Sequence, residues 1–145
     1  MISRRSVRNI LKSSVVMALC CASLHVGAQD LIAHRDAGVD ALTRNEARLF
    51  FTMRLKNWPN GTLAKVFVLP DNNALHTRFS NEVLGLYPYQ LRRVWDRQIF
   101  SGTGQAPTTV SSEREMLERV ATTPGAIGYA DGPIENPSIR ILEVR

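Results

Sequence analysis

The chain has 145 residues, 21% of them charged, with 18 Lys and Arg against 13 Asp and Glu and a formal net charge of +5. Four of the basic residues and none of the acidic ones fall in the first 28 positions, so the other 117 residues carry only +1, with the two signs interleaved. That excludes a nucleic-acid-binding face, which needs a clustered basic surplus, and the size suits one domain of the common ~100 to 150 residues.

Arg4, Arg5, Arg8 and Lys12 open the chain, an apolar run from Val15 to Leu24 follows, and Val26-Gly27-Ala28 supplies small residues. This order predicts a cleaved signal peptide over residues 1–28, export to the periplasm, and a single domain over residues 29–145. Ser23 and His25 break the run, which falls short of the roughly 18 apolar residues needed to cross a bilayer, so no stable membrane anchor is expected. Leu19 before Cys20 is too large for a lipid-attachment site, and Ser3-Arg4-Arg5 leaves twin-arginine export open beside the general route. Both cysteines lie within the signal, so the domain that follows has none to pair.

Leu31 to His34 reads as a short strand, linked by Arg35 to Asp40 to a helix over Arg44 to Met53. Thr43 and Glu46 form its capping box, and Ala47, Phe50 and Phe51 fall on one face as core residues. Trp58-Pro59-Asn60-Gly61 is a turn by its chemistry, and Ala64 to Leu69 is a strand stopped by Pro70. Asp71 is placed to cap the next helix, with Leu75, Phe79 and Val83 inward and Gly85 as its stop.

Pro88 suits a helix start, with Leu91, Val94, Trp95 and Ile99 repeating at three to four residues, so Trp95 is expected in the core. Ser101 to Pro107 is a loop whose amides are expected to converge. Ser112 and Glu115 predict a second capping box, ahead of a helix with Met116, Leu117 and Val120 inward. Pro124 to Ala130 and Ser138 to Val144 complete the chain as strands. Alternating strands and helices imply an α/β fold, a small mixed, partly parallel sheet flanked by helices.

Three segments in this order resemble the second lobe of phosphate-type substrate-binding proteins of ABC importers. They are Leu42 to Phe50 leading to Asn57-Trp58-Pro59-Asn60-Gly61, the passage from Val66 to Gly85, and Thr123-Pro124-Gly125-Ala126-Ile127-Gly128-Tyr129. The resemblance implies one lobe of a periplasmic binding protein type II fold. It also implies phosphate or a related oxyanion as ligand and an ABC importer or other protein as partner. In that family a helix start carries Arg, Asp, Ser, Gly and Thr around the anion. Here the stretch is Leu69-Pro70-Asp71-Asn72-Asn73-Ala74-Leu75, so only Asp71 is kept.

The ligand-binding candidates are Asn72 and Asn73 at that helix start and Ser101, Gly102 and Thr103 in the loop. The alternative is an interaction module that has lost its ligand and associates with a partner or with itself. No catalytic or nucleotide motif occurs, so the chain is read as a non-enzyme without cofactor or metal. His34 and His76, the two histidines beyond residue 28, are expected at the surface or its boundary.

Overall fold

The computed structural model describes residues 29–145, and the predicted signal peptide with its cleavage site lies outside the described residues. The chain runs β1 (Asp30–His34), β2 (Ala41–Leu42), α1 (Arg44–Phe51), β3 (Lys65–Val68), α2 (Ala74–Arg78), α3 (Pro88–Ser101), β4 (Thr108–Thr109), α4 (Glu113–Thr122), β5 (Ala126–Ala130) and β6 (Ile139–Val144). The strands form one mixed sheet in the order β2-β6-β1-β5-β3-β4. β3 runs parallel to β4 and β5, whereas β1 is antiparallel to β5 and β6.

β1 and β5 are buried at nearly every position because both of their faces are covered. Successive residues of a strand point to opposite faces, and neighbours in β5 show it. Gly128 faces α4, where a Cβ would come within 2.5 Å of the Met116 sulfur and 3.2 Å of Val120. Tyr129 faces the other layer, stacked on Phe79 at 4.0 Å with Phe51 beyond. Helices therefore flank the sheet on both sides.

The expected capping box of α1 forms in full, Thr43 accepting from the Glu46 amide while the Glu46 carboxylate accepts from the Thr43 amide at 2.7 Å. Trp58 and Trp95 are buried, and each indole N–H donates to a carbonyl, Gly125 and Phe51 respectively. Burying an aromatic of this size contributes about 1.5 to 3 kcal/mol, so these rings and Phe50, Phe51 and Phe79 dominate the core.

Four expectations need correction. After α2 the helix widens to a π-helical turn over Phe79–Leu84 before Gly85 ends it at φ 66°. The extra residue per turn carries Leu84 into the core and leaves Val83 half-buried. Asn73, not Asp71, caps α2. Ile99 is 49% exposed rather than inward, because α3 buries only Leu91 and Trp95. His34 and His76 are buried, each with its Nδ1 engaged, by the Asp36 amide and the Tyr129 hydroxyl respectively. β2 and β4, two residues each, have no counterpart in the sequence pattern because two residues cannot display an alternation.

Candidate functional site

Open α/β sheets bind ligands beyond the carboxyl ends of their parallel strands. Here β3, β4 and β5 all end on one edge, where α2 and α4 begin. β3 delivers Leu69 to Asn73, β4 delivers Ser111 and Ser112, and β5 delivers Asp131, with Asp30 of β1 paired beside Ala130.

Polar groups on this edge are engaged with one another. The Asn73 carboxamide oxygen accepts from the Leu75 amide at 2.9 Å and the His76 amide at 3.3 Å, so it caps the helix from within the chain. Asp71 accepts two bonds from Arg92, at 2.9 and 3.0 Å, and this holds its carboxyl below the usual carboxylate range. Arg92 in turn lies over the Trp95 ring at 5.1 Å. Arg78 pairs with Asp131 at 2.8 Å, and the Asp131 amide donates to Glu113.

At α4 the Ser112 hydroxyl accepts from the Glu115 amide as expected. The Glu115 carboxylate, however, turns to the Ser111 amide and hydroxyl, so the reciprocal half of the box is made one residue earlier. Burial and the neighbouring Asp131 carboxylate raise the Asp30 pKa, a sign that acids crowd this edge.

Beneath the edge lies a pair, His76 and Tyr129, that no spacing in the sequence joins. The Leu69 amide donates to the Tyr129 phenol oxygen at 2.8 Å, so the phenol's own proton points to His76 Nδ1, 2.5 Å away. That network assigns His76 as neutral with its proton on Nε2, an atom that is buried with no partner. Burial lowers the His76 pKa, Asp71 partly opposing and Arg92 reinforcing the shift. Burial likewise pushes the Tyr129 phenol up.

Ser101, Gly102 and Thr103 stand elsewhere. Arg92 reaches Asp71 from the first half of α3, and Ser101 is nine residues further along, about 13 Å at 1.5 Å per residue. The two groups of candidates therefore do not form one site. Nor do the loop amides converge outward, since Gly102 donates to Ile99, and Thr103 and Gly104 donate to Gln98. These bonds close the carboxyl end of α3, where the helix dipole disfavours an anion. The Ser101 and Thr103 hydroxyls bond to each other at 2.7 Å.

Gly102 and Thr103 instead line a cleft of about 400 Å3 with Met53, Leu55, Lys56 and Leu63. Among the described residues no group of three or more His, Cys, Asp or Glu is arranged to hold a metal ion, and no helix is long and apolar enough to cross a membrane.

No protein-family model matches the chain, and no curated protein matches it in sequence. Solved structures match it in fold. An ABC-type phosphate transport receptor from Vibrio cholerae superposes with a TM-score of 0.60 at 14% identity, over 81% of this chain and 46% of the receptor. A protein described as a phosphate ABC transporter substrate-binding protein from Clostridium perfringens, solved with bound phosphate, gives 0.61 at 18%, over 81% and 45%. PstS from Borrelia burgdorferi gives 0.58 at 18%, over 82% and 47%.

The fold is that of one lobe of a phosphate-receptor-type binding protein. The chain spans about half the length of the structures it matches, and those neighbours are transport receptors rather than enzymes. In this lobe the strand-end edge carries Asp30, Asp71, Glu113, Glu115 and Asp131 against Arg78 and Arg92, and each of the two arginines faces a carboxylate. A desolvated dianion needs several free donors and an uncommitted cation to replace its water. Of the candidates here, Asn72 is exposed and Asn73 is committed as a cap.

Proposed function

We propose that this is an exported single-lobe domain of the phosphate-receptor fold that acts by docking onto another protein in the periplasm, not by carrying an oxyanion on its own. The observation behind this reading is the closure of the Leu69–Asn73 passage by the chain's own groups. Asp71 is held by Arg92, the Asn73 oxygen caps α2, and the Leu69 amide is bound by Tyr129. An anion arriving there meets an ionised Asp71 and must break a bidentate ion pair to recruit Arg92.

The second reading is an oxyanion-binding accessory to an ABC importer. It draws on the fold likeness to phosphate receptors and on the exposed Asn72 at the strand end.

A thermal-shift series of the purified protein with phosphate and sulfate up to millimolar concentration separates the two. Binding to the folded state alone raises stability by RT ln(1 + [L]/Kd), so a ligand at 100 times its Kd adds about 2.7 kcal/mol. No shift with either anion is the expected result. A saturable shift abolished by Asn73→Ala or Asn72→Ala would establish the oxyanion reading instead.

A further inference from the structure

The cleft at the start of β3 differs in chemistry from the strand-end edge. It has two adjoining parts of about 400 and 450 Å3, which share Met53, Leu63, Ala64, Val66 and Gln105. Their combined volume is in the range of a recognition site. The shared wall is apolar apart from Gln105. Its charged members are Lys56, Lys65 and Arg119, and no carboxylate lines either part. Arg119 packs against the Phe67 ring and is turned toward Glu115, whereas Lys56 and Lys65 are exposed without an acidic partner among the described residues.

Exposed apolar side chains lie in the lining and on the helix that leads into it. Leu63 is 57% exposed on one side, and Ile99 and Phe100 are 49% and 89% exposed at the end of α3, just before the chain turns at Gly102 to line the cleft. Arg54 lies in sequence between the cleft residues Met53 and Leu55, exposed and without an acidic partner among the described residues. Clustered exposed apolar side chains ringed by polar ones mark interaction surfaces, and aromatic residues and arginine are the types that anchor them.

Resting on the docking role proposed above, we infer that this cleft binds an extended acidic segment of a partner protein. A bulky apolar side chain of that segment enters the Met53–Leu63–Val66 wall, and its carboxylates face Lys56 and Lys65. Charge selects the occupant, since Lys56 and Lys65 line the cleft exposed and without an acidic partner among the described residues, and the lining offers no acid to a basic segment. β3 also leaves room for a segment to lie alongside, because β4 covers only Phe67 and Val68.

The test uses the purified protein as bait for a library of random 12-residue peptides, and a synthetic copy of the dominant peptide as the probe. Enrichment of Asp and Glu around a Leu or Phe is expected, with binding that weakens as salt rises. Lys56→Glu with Lys65→Glu, and separately Leu63→Ser, should each weaken the probe at least tenfold. On the unaltered protein, amide shifts on titrating the probe should move at residues 53–56, 63–66 and 102–105, a readout independent of how any variant folds.

Neutral or basic peptides, no selected peptide, or shifts confined to residues 69–73 would overturn the inference. So would binding to phosphatidylglycerol vesicles in place of peptide, or a dimer in sedimentation that Leu63→Ser dissolves. A peptide that binds away from the cleft sinks this assignment and leaves the docking role standing, whereas saturable phosphate binding in the thermal-shift series sinks the role itself.

Discussion

The two ends of β3 are built on opposite plans. Its carboxyl end is closed, with Asp71, Asn73, Arg92 and the Leu69 amide bound to one another or to the core, and the Phe79–Tyr129 stack beneath them. Its amino end is open, with exposed Leu63, Lys56 and Lys65 in the lining of a cleft that no carboxylate lines. A fold whose parallel strand ends form the usual ligand edge has here tied that edge up in internal bonds and left unpaired lysines beside an apolar wall at the other end. Shared architecture thus says little about which end of the sheet does the work.

The largest expected effect tests the closed end. Phe79 is fully buried against Tyr129 and Phe51, so Phe79→Ala should cost about 3 to 5 kcal/mol in denaturant unfolding. A loss under about 1 kcal/mol would mean that the edge is not tightly packed. Gly125→Ala tests the floor of the open end, since the residue sits at φ 81° with a Cβ position 2.1 Å from the Leu63 carbonyl oxygen. A loss of about 2 to 3 kcal/mol is expected from overpacking and strain, together with disturbance of the cleft.

Tyr129→Phe removes the hydroxyl that satisfies both the Leu69 amide and His76, and should cost about 1 to 2 kcal/mol. Stability against pH probes the same pair. The folded pKa of His76 lies below its unfolded value, so the unfolded chain takes up a proton first as pH falls. His76 therefore supports the fold fully above about pH 6.5, and its contribution declines below that until the folded pKa is reached. A melting series from pH 8 to 5 should show this slope, and His76→Gln should flatten it.

The smallest effect belongs to Asp71→Asn. The pair with Arg92 is more than a third exposed on each side, so solvent screening limits its loss to below about 1 kcal/mol. The same variant sharpens the functional contrast, because it removes the carboxylate that opposes an anion. A gain of phosphate affinity in Asp71→Asn, tested by thermal shift, would identify this one charge as the block.

Local features were legible in the sequence and long-range ones were not. Thr43 with Glu46, Pro88 at a helix start and the spacing of Leu91 and Trp95 are signals within a few residues, and each element formed where they placed it. Arg92 and Asp71 are 21 residues apart, and His76 and Tyr129 are 53 apart, with no pattern joining either pair. His76 looked like a surface residue because a single histidine carries no periodicity, and only its place on the inner side of α2 decides its burial. The loop after α3 misled for a related reason. Glycines there suggested free amides, but a helix ending beside them needed those donors for its own carbonyls.

The two buried indoles give the molecule a built-in pair of optical reporters. Trp58 is tied to the Gly125 carbonyl, next in sequence to the Pro59–Leu63 turn that borders the cleft, while Trp95 sits under Arg92 near the strand-end edge. Both should emit at the short wavelengths of a dry surrounding. With one replaced by phenylalanine at a time, the survivor would register an event at its own end of β3, so the location of a binding partner can be read by fluorescence without any attached label.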